Sequence, residues 1–149
     1  SYYDDVVGFI SRKVKVRYDY KCQIIQNGEI NNQITLFTIG SNNLLKLGQS
    51  SSNSDKHDMT VYSYGSNNTI FAKQEDAGEK DLYVQLNGNG HIISSTQSGT
   101  GAHNATVTLT AGAGAYSLSL TQNSSTTQNY SLTGTCQNSS GCGVTVTQN

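Results

Sequence analysis

IGSNNLLKLGQ at Ile39–Gln49 and YGSNNTIFAKQ at Tyr64–Gln74 are two versions of one segment, placed 25 residues apart. Each begins with an apolar or aromatic residue, continues with Gly-Ser-Asn-Asn, and reaches a glutamine after five more residues. A pattern that returns at a fixed period of about 20–50 residues is typical of solenoids, propellers and other stacked repeats. The two segments therefore define a unit that should recur along the rest of the chain.

The composition favours strands. Charged residues make up only 13 % of the chain, which has nine tyrosines and no proline or tryptophan, and its many Val, Ile and Thr residues suit strands. The net charge of −1 gives no electrostatic basis for binding nucleic acid. The sequence contains no run of about 18 apolar residues, so no membrane insertion is predicted. No secretory signal is visible, so Ser1 is the expected start of a processed chain.

Residues 1–31 are predicted to form a separate N-terminal segment with a strand and a hairpin. Apolar and polar residues alternate from Val14 to Ile24, which is the period of a two-faced strand. Asn27-Gly28 follows, and this dipeptide favours a hairpin because both residues tolerate positive φ. The run from Ile30 onward is expected to pair back on the first strand.

Residues 32–149 are predicted to form one domain of five repeats, spaced 23 to 26 residues apart. The units start at Ile34, Met59, Leu82, Val107 and Thr133. In each unit an alternating strand leads into an arc of Gly, Asn and Ser, because Gly and Asn enter left-handed conformations at little cost. The arc positions singled out are Gly40, Asn43, Gly65, Asn68 and Gly88.

A second alternating strand in each unit ends in glutamine, at Gln49, Gln74, Gln97, Gln122 and Gln148. A single unit cannot bury its own apolar face, so the units are expected to stack as an all-β solenoid. The glutamines would then form a ladder, each amide bonding the next. The alternative is a pilin-like β-sandwich, which also has evenly spaced strands but does not need glutamine at one position.

The spacing apolar-x-apolar-x3-Gly-x2-Asn-x5-Gln, clearest in Met59–Gln74, resembles the curlin repeat of bacterial curli fibres. The resemblance covers residues 32–149. It implies an extracellular functional amyloid of the biofilm matrix, a homopolymer of identical subunits whose open ends template the next copy, with a nucleator and a secretion apparatus as further partners. The chain departs from the family at the first-strand glutamine, which is replaced in four units and kept only as Gln137.

Cys136 and Cys142 flank the last arc, and a disulfide between them is predicted if the chain is secreted. The alternatives are two free thiols, or a bond from Cys22 to either of them. No cysteine or histidine pair has the spacing of zinc ligands, so no metal and no cofactor are predicted.

Catalysis is not expected from this sequence. His57 is placed in a return loop and His91 at an asparagine position of the third arc, and no nucleophile stands in a recognisable elbow. The chain is therefore interpreted as a structural protein and not as an enzyme.

Three functions remain open. The first is a self-assembling fibre subunit, whose N-terminal segment caps the solenoid or reaches into a neighbour as an added strand. Its adhesive surface would be formed by Tyr62, Tyr64, Tyr83 and Tyr130. The second is a pilin-like subunit joined by donor-strand exchange, with residues 1–10 or the strand from Val14 to Ile24 as donor. The third is a monomeric secreted carbohydrate-binding domain that uses tyrosines as sugar platforms.

Overall fold

The computed structural model describes residues 2–7, 11–17, 20–28, 32–51, 56–110 and 112–149. Of these, residues 2–7, 11–17 and 20–28 and Ser51 are described by their backbone alone. The regular structure in these ranges consists of strands: β1 (Tyr2–Val7), β2 (Ser11–Arg17), β3 (Tyr20–Gly28), β4 (Gln33–Ile39), β5 (Asn43–Ser51), β6 (His57–Tyr64), β7 (Thr69–Gln74), β8 (Lys80–Asn87), β9 (Ile92–Ser98), β10 (His103–Thr110), β11 (Tyr116–Asn123), β12 (Gln128–Thr135) and β13 (Cys142–Gln148). The described ranges contain no helix of the length and apolarity that a membrane span requires.

The strands alternate between two sheets. Odd-numbered strands form a seven-stranded sheet in the order β1-β3-β5-β7-β9-β11-β13, and even-numbered strands form a six-stranded sheet from β2 to β12. Each neighbouring pair in both sheets is parallel. The predicted β-solenoid is therefore confirmed, and the alternative β-sandwich is wrong because a sandwich packs antiparallel sheets.

The predicted N-terminal hairpin is wrong. Strand β3 runs through Asn27-Gly28 and pairs in parallel with β1 and β5. The alternating run from Val14 to Ile24 is divided between β2, which pairs with β4, and β3 in the other sheet. Alternation has the same period in parallel and antiparallel strands, and Asn-Gly permits a turn without requiring one. The first three strands therefore continue the two stacks.

The donor-strand hypothesis concerns residues 1–10 or the strand from Val14 to Ile24. Strand β1 instead pairs with β3 of its own chain, and β2 and β3 are likewise paired within the stack. Residue 1 and residues 8–10 lie outside the described ranges. The fold thus uses these strands as further turns at the end of the solenoid opposite to β12 and β13.

The core lies between the two sheets, where inward side chains of successive turns stack in columns. One column of the six-stranded sheet contains Leu36, Val61, Val84 and Val107, all at most 1 % exposed. A column of the seven-stranded sheet contains Leu45, Ile70, Ile93 and Leu118. Because an inward side chain packs on the same position of the turns above and below, burial requires neighbouring turns.

The predicted register of the last two units is wrong in their first strands. Leu82 pairs with Ala105 rather than Val107, and the next residue in that column is Tyr130 rather than Thr133. Thr133 is exposed, whereas Leu132 faces the core. The reason is arc length: the arcs of the fourth and fifth units are two and three residues longer than the first. The prediction placed each first strand at a fixed distance before the glutamine. The longer arcs therefore put the predicted start two residues too late in the fourth unit and three residues too late in the fifth.

Candidate functional site

The five predicted glutamines lie in one column of the seven-stranded sheet. Each Nε2 group donates a hydrogen bond to Oε1 of the next glutamine, at 2.8 Å from Gln49, 2.9 Å from Gln74, 2.8 Å from Gln97 and 2.9 Å from Gln122. The first four side chains are at most 2 % exposed. The ladder thus satisfies one donor and one acceptor of the buried amides of Gln74, Gln97 and Gln122.

The same amides also join the two sheets. Nε2 of Gln74 donates to the backbone oxygen of Asp58 at 2.7 Å, and that of Gln97 to Asp81 at 2.8 Å. An unsatisfied buried polar group costs about 1–3 kcal/mol. A glutamine at this position is therefore stabilising only when turns lie above and below it.

Backbone register adds a position that the sequence analysis missed. Gln26 of β3 is the register partner of Gln49 in β5. The hairpin interpretation hid this match, because it assigned residues 1–31 to a separate segment. Counting back 23 residues from Gln49, within the spacing of the later units, would have found it.

The predicted arc glycines lie where successive turns come closest. Gly40, Gly65 and Gly88 have φ values of 130°, 147° and 103°. A Cβ atom on Gly40 would lie 1.9 Å from the carbonyl oxygen of Gly65, and one on Gly65 would lie 1.9 Å from that of Gly88. Both the left-handed backbone and this approach require glycine.

The predicted arc asparagines form a second ladder. Nδ2 of Asn43 donates to the Gly65 carbonyl at 2.8 Å, and Oδ1 of Asn43 accepts from the Asn68 amide at 3.0 Å. Asn68 repeats both bonds, with the Gly88 carbonyl at 2.9 Å and the His91 amide at 2.8 Å. Each side chain therefore ties its own arc to two backbone groups of the next arc.

His91 replaces asparagine in the third turn and keeps the bond to the amide of the next turn, while its second bond lies within its own turn. Its Nδ1 accepts from the Tyr116 amide at 3.0 Å, and its Nε2 lies 3.0 Å from the Asn87 carbonyl. Since Nδ1 must accept, the ring is the neutral tautomer with its proton on Nε2. This explains why an imidazole stands at an amide position, and it assigns His91 a structural role.

A third polar column, which the sequence analysis missed, begins the strands of the six-stranded sheet. Its members in successive turns are Asn32, His57, Lys80, His103 and Gln128. His57 is the first residue of β6 and fully buried, so its predicted position in a return loop is wrong. The sequence signal that could have found this column is that Lys80 and His103 are in phase with the inward-facing apolar residues of their alternating strands.

His57 is held by backbone groups on both ring nitrogens. Nε2 lies 3.1 Å from the Ser50 carbonyl and 3.0 Å from that of Asp76, while Nδ1 accepts from the Lys80 amide at 3.3 Å. Burial, and then the Lys80 charge, lower the pKa of His57. Burial also lowers the pKa of His103, whose Nδ1 has no hydrogen-bond partner among the described residues. Both rings are therefore held neutral.

The ammonium group of Lys80 lies inside a cage of carbonyl oxygens from two successive loops. Nζ donates to the carbonyls of Ala77 and Gly78, the latter at 2.9 Å, and to those of Gly99 at 3.0 Å and Gly101 at 2.8 Å. The side chain is fully buried. Hydrogen bonds to a charged donor contribute about 1.5–3 kcal/mol, so Lys80 clamps both loops to the end of the core.

Three of the four predicted surface tyrosines lie together on the outer side of the six-stranded sheet. Tyr62 packs against Tyr64 and Tyr83, with ring centroids 6.4 and 5.9 Å apart, and Phe37 joins the group 5.8 Å from Tyr64. Tyr130 instead packs against the core, and burial raises its pKa. Its assignment to the outer surface is wrong because of the register shift in the last unit.

The predicted disulfide between Cys136 and Cys142 is confirmed, with the two Cα atoms 5.8 Å apart. Neither cysteine is therefore bonded to Cys22, whose side chain lies outside the described part of the molecule. Within the described ranges, no group of three or more His, Cys, Asp or Glu side chains is arranged to hold a metal ion.

The face of the described stack at β12 and β13 is called the open end. Within the described residues, strands β12 and β13 each have a neighbour on one side only. Leu132, Val144 and Val146 face the core but are only partly buried, whereas Leu118 and Leu120 in the preceding turn are at most 2 % exposed. Apolar side chains and unpaired strand edges are thus presented together at one end.

Comparisons of the chain with protein-family models, with curated proteins and with solved structures find no match. No relative therefore supplies an activity or a ligand for this chain. The features that bear on its function are its own: the polar ladders, the open end and the outer aromatic group.

Proposed function

We propose that the chain is a secreted, non-catalytic structural subunit that polymerises end to end with identical copies into an extracellular adhesive fibre of the curli type. The observation that carries this proposal is the open end at β12 and β13. Another copy would add its strands β2 and β1 there, at the opposite end of the two stacks. Head-to-tail contact between different surfaces of identical subunits generates a filament when it does not close into a ring.

The interior of the last turn supports this mode of assembly. Gln148 accepts from Gln122 and donates to the Asn129 carbonyl at 3.0 Å. In the inner turns the same Nε2 group also donates to the glutamine of the following turn. A copy seated on the end would cover this amide together with Val144 and Val146, with about 25 cal/mol gained per Å² of apolar surface buried.

The remaining parts of the proposal follow from chemistry. A disulfide across the last arc suits an oxidising compartment, as expected for a secreted chain. A net charge of −1 gives no reason to expect a nucleic-acid partner. Identical subunits are the main partner, with a nucleator and a secretion apparatus as further partners, and the fibre needs no cofactor.

A concentration series tests polymerisation directly. Light scattering and negative-stain microscopy should show fibres, and aligned fibres should give a meridional reflection at about 4.7–4.8 Å from the stacked strands. A wild-type chain that stays monomeric at high concentration would refute polymerisation. Fibres that lack the reflection would refute stacking of the solenoids.

A pair of double variants tests which surface is used. Val144→Lys with Val146→Lys places charge on the open end, so we expect a folded monomer that forms no fibres. The matched control, Thr145→Lys with Thr147→Lys, alters exposed outward positions of the same strand and should still polymerise. Fibre growth by the valine variant at the wild-type rate would exclude this end as the interface.

A further inference from the structure

The outer side of the six-stranded sheet carries two adjoining kinds of side chain. The aromatic group, which consists of Phe37, Tyr62, Tyr64 and Tyr83, lies on strands β4, β6 and β8. The rings contact one another, and Tyr64 is still 38 % exposed. Clustered exposed aromatic rings on a soluble surface commonly mark a binding site. These rings are fixed by mutual contact and stand on strands rather than loops.

Strands β10 and β12 continue the same side with short hydroxyl and amide side chains in register. The outward hydroxyls are those of Thr106, Thr108, Thr110, Ser131, Thr133 and Thr135. Nδ2 of Asn104 donates to Oδ1 of Asn129 at 2.9 Å, so the amides also form a row along the stack. Neighbouring rows repeat at the strand spacing of about 4.8 Å. The face therefore carries rings at one end and hydroxyls at the other.

We propose that this face, strands β4, β6, β8, β10 and β12, binds a neutral, ribbon-shaped polysaccharide that lies along the stack. Pyranose rings present flat C–H surfaces that pack on Tyr62, Tyr64 and Tyr83, while their equatorial hydroxyls exchange hydrogen bonds with the threonine and asparagine rows. The proposal goes beyond polymerisation, because the face is complete in one subunit and remains exposed when subunits add at the ends.

The charges of the described residues favour a neutral ligand. Asp58 and Asp81 lie next to each other in register at one margin of the face, and Lys56 forms an exposed ion pair with Asp58, at 3.5 Å. Burial, and then the neighbouring Asp58 carboxylate, raise the pKa of Asp81. Strands β10 and β12 carry no charged side chain. An anionic glycan would meet this carboxylate pair, whereas a neutral one can donate its hydroxyls to it.

The outer side of the seven-stranded sheet provides a matched control surface. It also has an exposed aromatic side chain, Phe71, at 37 %. Phe71 stands beside the Lys46 ammonium, which is 5.8 Å from its ring centroid, and the neighbouring Lys73 is paired with Glu75 at 2.8 Å. Among the side chains described on strands β5 to β13 of this sheet, Phe71 stands beside charged groups and does not belong to a row of rings that could serve as sugar platforms.

The test is depletion of the soluble full-length chain by microcrystalline cellulose and by chitin, with heparin beads as the anionic comparison. Protein is used at concentrations where none sediments without polysaccharide, which separates the result from polymerisation. Tyr62→Ala with Tyr83→Ala should weaken binding to the neutral polymers by about tenfold or more, whereas Phe71→Ala should bind as the wild type does. Circular dichroism checks that each variant is folded.

Salt provides a second readout. Binding to a neutral ribbon should persist at about 1 M salt, where charges are screened beyond about 3 Å. The proposal is overturned if the wild type is depleted by neither neutral polymer. It is also overturned if binding is confined to heparin and lost in salt, or if Phe71→Ala weakens binding as much as the tyrosine variants. Loss of self-association with unchanged glycan binding in the tyrosine variants would assign the face to a second copy instead.

Discussion

Strands β4–β8 and strands β9–β13 have the same backbone arrangement but different chemistry. The nine Lys and Arg and ten Asp and Glu residues of the chain all lie at or before Asp81, and residues 82–149 contain none. The earlier turns hold a buried ammonium and surface ion pairs, whereas the later turns use amides, hydroxyls and one disulfide. The Gln ladder crosses both regions without a break. The register of the turns therefore depends on the glutamine amides in both regions, whereas charged side chains are present in the earlier region alone.

The difference also affects the two ends of the molecule. Charged side chains near a strand edge discourage pairing with other chains, and natural sheets use them for that purpose. The C-terminal end has none of these side chains, and its core residues are partly exposed. This difference supports the proposal that the C-terminal end is the surface on which another copy adds.

Removing the buried charge should have the largest effect on stability. Lys80→Met leaves the carbonyls of Gly78, Gly99 and Gly101 without their ammonium donor, so we expect a loss of about 3 kcal/mol in the free energy of unfolding. Urea denaturation measures it. Lys73→Met is the control, because that side chain is 59 % exposed and its surface ion pair should contribute under about 1 kcal/mol. Equal effects for the two variants would contradict the clamp.

Removing one rung of the ladder should cost about 2 kcal/mol in either region. Gln74→Ala breaks it among the charged turns and Gln122→Ala among the uncharged ones, and each removes the acceptor of the ladder bond that the preceding buried glutamine donates. Gln137→Ala, at an exposed position, should be neutral. Chemical denaturation of the three variants makes the comparison. A loss confined to one region would show that the amides do not set register throughout.

Acidification should produce a smaller, graded effect. The folded-state pKa values of His57 and His103 are lowered from the ordinary 6.5, so below that pH the unfolded chain binds more protons than the folded one. Stability is then complete above about pH 6.5 and declines as the pH falls through the lowered values. The urea midpoint measured between pH 7.5 and about pH 5 should follow this course. His57→Asn, which introduces the residue type of Asn32 in the same column, should flatten it, whereas an unchanged slope would exclude His57 as a source.

The residues that could be predicted from the sequence are those through which one turn contacts the next. Gly40 and Gly65 are required by a close approach, Asn43 and Asn68 by a backbone bond, and Gln74 by its neighbours in the ladder. Because these contacts recur in successive turns, the residues that make them recur at one spacing, and a single sequence is enough to find them.

Other features could not be predicted, because the spacing of the repeats does not specify arc length, contacts with distant loops or the partner of each strand. Arc length varied in the last two units, which moved Tyr130 to the core side of its strand. Lys80 and His57 were missed because a basic side chain at the start of a strand resembles a solvated loop residue, and its carbonyl partners come from loops remote in sequence. The N-terminal strands were misread because alternation does not specify the partner strand.

The direction of the glutamine bonds has a consequence for the whole stack. In each of the four ladder bonds between Gln49 and Gln148, Nε2 of one glutamine donates to Oε1 of the next glutamine toward the C-terminal end. The side-chain amide dipoles are therefore aligned, and such aligned chains polarise one another. A subunit added in reverse would bring donor against donor at the terminal rung. A fibre of this chain is expected to be polar, with unequal growth rates at its two ends.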